Sequence, residues 1–330
     1  MTRISSALKK QEMSLKVSSP SPHNAGLSFR FSGHQTFPLR TAWIPKAVDE
    51  ISRGLDPLTN IDEGITKLGL GKNMVEALRC WIEAFQIANH FSDGWRLTPI
   101  GKLIFHPESG LDRYFEDVST SWLLHWLIST NTNSPFFAWE CLFNRWPATE
   151  FSSSQIIDAF EKESSKSPKQ ISIVTLRQHW EVFLHSYRPP HSDKGEDHLD
   201  SAMSMICLIQ EFGERQNVSG KWENIYSFDT SRKGSIPEQL FIFFVHSWWN
   251  QKYPDEQTVP LRELMLGDHS PGRLLKMQES EVLQRVIRMS SSHPKVFQLV
   301  ESTNLRQLHR LQSSDGVSEL KSTYKNPSFV

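Results

Sequence analysis

Lysine, asparagine and arginine recur in one short stretch of this chain in an order suited to holding DNA. Lys72 and Asn73 follow directly on Gly69-Leu70-Gly71, and Arg79 lies two turns along the helix that the apolar spacing predicts. At a helix start the backbone N–H groups lack intrahelical partners and the dipole end is positive, which suits phosphate. Asn pairs with adenine edges, and Arg with guanine edges or phosphate. Arg96, next to Trp95, would touch the backbone from a hairpin. The charge is only modestly favourable: over 66–102, five cations oppose Glu76, Glu83 and Asp93, a net of +2.

Other chemistry is weaker. Gly69-Leu70-Gly71-Lys72-Asn73 resembles a phosphate loop, but Thr66 stands where a glycine is needed and Asn73 where Ser or Thr is needed. His185, His191 and His198 lie near Asp193, Glu196, Asp197 and Asp200 at spacings that match no defined metal site. No metal and no cofactor is therefore expected. His125, between Trp122 and Trp126, reads as a core or interface histidine. Asp112, Glu116 and Asp117 precede a helix and would serve its N-terminus electrostatically; paired carboxylates could alternatively do acid–base work. Neither G-x-S-x-G nor H-E-x-x-H occurs. No catalytic residue is assigned, and a non-enzymatic role is favoured.

The elements that would position these residues are mostly helices. Met74, Val75, Leu78, Trp81, Ile82 and Phe85 recur at three- and four-residue steps, which predicts a helix over 72–88. Before it come a helix over 43–53 and a short one near Ile61, with Asp62 as N-cap. After it, 91–97 reads as two short strands around an Asp-Gly turn, and Thr98-Pro99 opens another helix. Helix, helix, turn, helix, hairpin is the order of a winged helix-turn-helix, whose second turn helix is the recognition helix. Such units bind DNA or dock proteins, and both readings stay open here.

Further helices are expected after Ser119, over 155–163, 173–187 and 279–289, and over the apolar 236–251, which Ser235 would open through a capping box. Weaker winged-helix candidates lie at 152–188, where Thr175, Arg177 and Gln178 mark a helix start, and in the basic stretch 262–310. The expected fold class is mainly α: two helical lobes with one or more winged helix-turn-helix units and short β-hairpin wings. The expected divisions are a flexible tail (1–28), a winged-helix domain (29–130), a helical middle region (131–190), a linker loop (191–201), a helical C-terminal domain (202–312) and a second polar tail (313–330).

The chain has 330 residues, a net charge of −1 and three cysteines without a C-x-x-C pair. That excludes a polycationic nucleic-acid binder and argues against a disulfide framework. Its 20 Phe and 11 Trp exclude global disorder. The N-terminal stretch is polar, and no apolar run approaches the ~20 residues of a membrane span. A cytoplasmic protein without membrane contact is expected.

The segment Phe31-Ser32-Gly33-His34-Gln35-Thr36-Phe37-Pro38-Leu39-Arg40 is unusual. Together with Leu68–Val75, Trp122–Trp126, Pro271-Gly272-Arg273 and Thr303–Leu308, it resembles a bacterial family of unknown function with serial number 4007. The resemblance covers about residues 29–312. It implies a genomic setting near DNA phosphorothioate-modification and phage-defence genes, and it brings no catalytic residues. Ser32, Gly33 and His34 form either a functional loop or a strap packing Phe31, Phe37 and Leu39 onto the first helix. The leading expectation is a non-enzymatic regulator or accessory factor that binds double-stranded DNA through Lys72, Asn73, Arg79 and Arg96. The alternatives are an adaptor that docks a DNA-modifying enzyme through its aromatic helices, and a metal-dependent hydrolase or nuclease using His34 or the 185–200 loop.

Overall fold

The computed structural model describes residues 28–167, 170–188, 201–217, 219–302 and 305–325. Its first part follows the expected order. Helix α1 (Trp43–Ser52) is followed by α2 (Ile61–Leu68), α3 (Lys72–Ala84), strands β1 (Ala88–Phe91) and β2 (Gly94–Leu97), and α4 (Pro99–Phe105). Helix α1 packs on α2, α3, α4 and β2. Asn60, rather than Asp62, caps α2 by accepting from the Asp62 N–H, and Gly69 ends it at φ 61°. Thr98 caps α4 with Pro99 in its first turn. Helix α3 stops at Ala84 instead of running to residue 88, because Gln86 turns to φ 55° and leads into the hairpin. The hairpin pairs Phe91 with Gly94, so its two-residue loop is Ser92-Asp93.

Beyond this unit come α5 (Val118–Ser129), the single turn α6 (Phe137–Trp139), a π-helix (Glu140–Arg145), β3 (Glu150–Ser152), α7 (Ser153–Ser164) and α8 (Ile173–Tyr187). Then follow β4 (Ile209–Gln216), β5 (Trp222–Phe228), α9 (Glu238–Lys252), β6 (Thr258–Pro260), α10 (Leu261–Leu266), α11 (Pro271–Leu274), α12 (Glu279–Ser292), β7 (Phe297–Glu301), β8 (Arg306–Arg310) and α13 (Val317–Thr323). The expectation of a mainly α protein is corrected here. Among the described residues there are three small antiparallel sheets, β1-β2, β3-β5-β4 and β6-β8-β7, so the fold is mixed α and β. The missed strands had little signal to offer. On β4 only Ile209 is buried, so no apolar alternation exists, and β3 and β6 are three residues long.

The core is one cluster of buried apolar side chains running from Phe31 to Leu320, rather than two separate lobes. Helix α5 is buried on every side, and α9 from Leu240 to Trp249. A helix apolar all round belongs in a core. No described helix is long and apolar enough to cross a membrane. Ser235 does not cap α9; its hydroxyl accepts from the Trp122 indole, and α9 starts at Glu238, with Pro237 in the cap position and no side-chain cap. Within the second polar tail expected at 313–330, α13 packs on α9, and the Tyr324 hydroxyl lies 3.0 Å from Thr120 Oγ1. Arg273 donates to the carbonyls of Asn144 and Leu266, and the Lys276 amine to those of Leu142 and Phe143, so both fasten the π-helix to the later part of the chain.

One close approach fixes how α4 meets the end of α3. A Cβ on Gly101 would overlap the Ile87 carbonyl oxygen. Gly101→Ala is expected to cost about 1–3 kcal/mol by overpacking. A thermal melt unchanged from the parent protein would show that this contact yields freely.

Candidate nucleic-acid interface

Helix α3 begins at Lys72, and Gly71 in the cap position supplies no side-chain cap. Lys72 and Asn73 are exposed there, and Arg79 is exposed further along. The helix start thus keeps backbone donors for an outside acceptor. Lys72, Glu76, Arg79 and Glu83 are spaced by four, three and four residues, which places them on one face. Arg96 is exposed on β2, paired with Asp93 and lying 5.4 Å from the Phe91 ring centre. That exposed pair holds the side chain only weakly. The structure therefore brings Lys72, Asn73 and Arg79 onto one helix and leaves Arg96 on the adjoining hairpin.

The opening motif docks on the same helix. Gln35 Nε2 donates to Glu76 at 2.7 Å. Arg30 donates to Glu83 at 3.3 Å, to Ser134 at 3.0 Å and to the Cys80 sulfur at 2.8 Å. Gly33 sits at φ 112°, and a Cβ there would lie 2.7 Å from the Arg30 guanidinium. Glycine is thus required both by the backbone angle and by the approach of Arg30. Burial pushes the Cys80 thiol up to about 11, with Arg30 opposing, so this sulfur is no thiolate nucleophile at neutral pH.

Between motif, helix and hairpin lies a pocket of about 370 Å³. Arg30, Gln35, Glu76, Arg79 and Glu83 line it together with His90 and Trp95 of the hairpin. Sequence reasoning missed this pocket. Its helix residues could have been found from the charged stripe on α3, but Arg30, Gln35 and the hairpin residues reach it only through tertiary packing.

Ser32 is exposed, but His34 is not. The His34 ring stacks between Trp81 and His179, at 5.6 and 5.2 Å. The bonds fix the tautomers in one direction. The Ala138 N–H donates to His179 Nε2, His179 Nδ1–H donates to His34 Nε2, and His34 Nδ1–H donates to the Gln35 carbonyl. Every ring nitrogen is satisfied with both rings neutral. Burial holds His34 down at about 4, with Arg30 adding to the effect, and holds His179 well below its ordinary value. Phe31 packs against Phe137 and Phe160, and Phe37 against Trp43 of α1. The segment is thus strapped across several elements, and His34 is a buried fastener of that strap.

The remaining candidates have structural surroundings. His125 Nε2–H donates to the Leu274 carbonyl, and its Nδ1 accepts from Tyr187, which in turn accepts from the Trp139 indole. Asp112 accepts from the N–H groups of Glu116 and Asp117, and Asp117 caps α5. His191, His198, Asp193, Glu196, Asp197 and Asp200 lie outside the described residues. Among the described residues no three His, Cys, Asp or Glu side chains converge as metal ligands.

A family described as "Protein of unknown function (DUF4007)" matches residues 31–324, nearly all of the described chain. The chain belongs to the DUF4007 family. Its match begins at Phe31, the first residue of the strap, so the pocket-forming loop lies inside the DUF4007 region. Two solved structures share the DUF4007 protein's fold. One, described as magnesium ion-bound SspB, is 22% identical, has a TM-score of 0.77 and is matched over 91% of each chain. The other, described as SspB, is 22% identical with a TM-score of 0.76, over 89% of this chain and 87% of that one. No curated protein sequence matches.

Proposed function

We propose that this DUF4007 protein binds double-stranded DNA as a non-enzymatic regulator or accessory factor of a bacterial DNA modification or defence system. The observation that carries the reading is the open start of α3, with Lys72 and Asn73 exposed and Gly71 contributing no cap. In this reading, α1 to α3 and the β1-β2 hairpin act as a winged helix-turn-helix. The first turn of α3 enters the major groove, Arg79 takes a phosphate or a guanine edge, and Arg96 follows the backbone. The link to modification and defence rests on the family resemblance and on the fold shared with the two SspB structures.

Binding to labelled duplex is expected to weaken steeply between about 50 and 200 mM salt. The Lys72→Ala/Arg79→Ala double variant is expected to lower affinity about tenfold and to reduce the log–log salt slope by about 2. Anisotropy titrations check both quantities. An unchanged slope would remove these two residues from the interface.

The adaptor reading loses its first surface, because Trp122, Trp126, Trp248 and Trp249 are buried. It retains another: Phe212 and Trp222, on the β4-β5 hairpin, are 68% and 67% exposed. Exposed aromatics of this kind suit a protein partner. A partner that stays bound after nuclease treatment, and is lost on Trp222→Ala, would favour that reading.

A further inference from the structure

We infer that the pocket between the opening motif, α3 and the β1-β2 hairpin receives a single nucleobase that has left the DNA stack. The inference rests on the DNA-binding reading and sharpens it. Lys72 and Asn73 stand one turn before Glu76 on the same helix, so a strand held at the helix start passes the mouth of the pocket.

The composition of the lining selects the ligand. Two carboxylates, Glu76 and Glu83, alternate with two guanidinium groups, Arg30 and Arg79. A bare phosphate would meet both carboxylates and be repelled. A purely apolar ligand would strip water from four charges without replacing it. A nucleobase edge presents donors and acceptors side by side in one plane. Its exocyclic amino group suits a carboxylate, and its ring nitrogen or carbonyl suits a guanidinium.

The polar groups are also held ready. Gln35 occupies one oxygen of Glu76, and Arg30 one oxygen of Glu83. Among the described residues the second oxygen of each has no bonding partner, and neither has the Arg79 guanidinium. The hairpin wall supplies rings: His90 and Trp95 lie 5.3 Å apart. The Trp95 Nε1–H, although buried, has no acceptor. Aromatic walls with a few hydrogen-bonding groups are how proteins hold an extruded base. The volume, about 370 Å³, falls in the lower part of the ~300–1,000 Å³ range of small-molecule sites.

This chemistry ranks the bases. Adenine, cytosine and guanine carry an exocyclic amino group for the carboxylates, whereas thymine does not.

The test compares the full chain binding to a perfect duplex and to four duplexes that each carry one unpaired A, C, G or T. An unpaired base removes the unpairing cost of a few kcal/mol. Unpaired A, C or G is therefore expected to tighten binding about tenfold over the perfect duplex, and unpaired T clearly less. Glu76→Gln removes a negative charge beside Lys72 and Arg79 and should itself raise affinity for every duplex somewhat. The readout is therefore the ratio of bulged to perfect duplex: the preference for A, C or G over T should vanish while the thermal melt stays unchanged. Gln35→Ala, which keeps the carboxylate, should retain that preference. Equal affinity for the perfect duplex and all four bulged duplexes overturns the inference and leaves the DNA-binding reading standing. A bulge preference blind to base identity, or untouched by Glu76→Gln, also overturns it. No binding to any duplex overturns both.

Discussion

Lowering the pH from 7 to 5 is expected to destabilise the folded protein by several kcal/mol, chiefly through its buried histidines. Burial holds His34 and His246 down at about 4 and His125 at about 3, and holds His179 well below its ordinary value. In the unfolded chain each ring takes up its proton near pH 6.5. Below that pH the unfolded state therefore binds more protons than the folded one, and stability falls as pH falls. It is fully present above about 6.5 and is lost progressively towards the folded values. Each ring contributes about 1.4 kcal/mol per pH unit inside its window. The His34–His179 chain adds a geometric reason, since a proton on His179 Nε2 would face the Ala138 N–H, and one on His34 Nε2 the His179 Nδ1–H. Urea midpoints at pH 7, 6 and 5 measure the effect, and a flat profile would show that the rings reach water. Glu140 acts lower down. Burial opposes its charge, but His269 and Arg145 hold it at about 2, so its contribution is lost only as pH falls below about 4.5.

Arg285→Ala is expected to cost about 3–5 kcal/mol, the usual loss when one partner of a buried ion pair is removed. Arg285, Glu281 and Lys233 are 5%, 7% and 3% exposed. Arg285 donates to Glu281, to the Ile236 carbonyl and to the Lys233 carbonyl, while the Lys233 N–H reaches Glu281. Truncating the arginine leaves a buried carboxylate and two carbonyls short of donors. Replacing Arg285 and Glu281 together with Met and Leu should cost less than Arg285→Ala alone, because no uncompensated charge remains. A double variant whose loss equals the sum of the two singles would mean that the pair is not coupled.

Much of the helical framework could be read from the sequence because its cues are local. Ile173–Tyr187 has the predicted bounds, and the apolar spacing of α3 marks its start at Lys72. Thr98-Pro99 announces α4 by itself. What escaped depends on distant partners. Strand β4 carries charged residues and pairs with β5 across an irregular register between Glu211 and Gly213. Helix α13 looks polar along the chain and is recognisable only from the α9 surface beneath it. The candidate site divides in the same way. The cations of α3 were visible as a sequence feature. The pocket beside them requires Arg30 and Glu83, 53 residues apart, to meet.

The contact between Tyr324 and Thr120 links positions separated by 204 residues. A ribosome adding about 5–20 residues per second completes α5 at least ten seconds or so before Tyr324 exists. During that interval Thr120 of α5 waits for Tyr324, and α9, once made, lacks the helix that packs on it. Phe243 and His246 of α9, which the chain closes over at Gly316, are then open to chaperones and to neighbouring chains. A premature stop before residue 317 would make that interval permanent, turning a transient stage of synthesis into an aggregation-prone product.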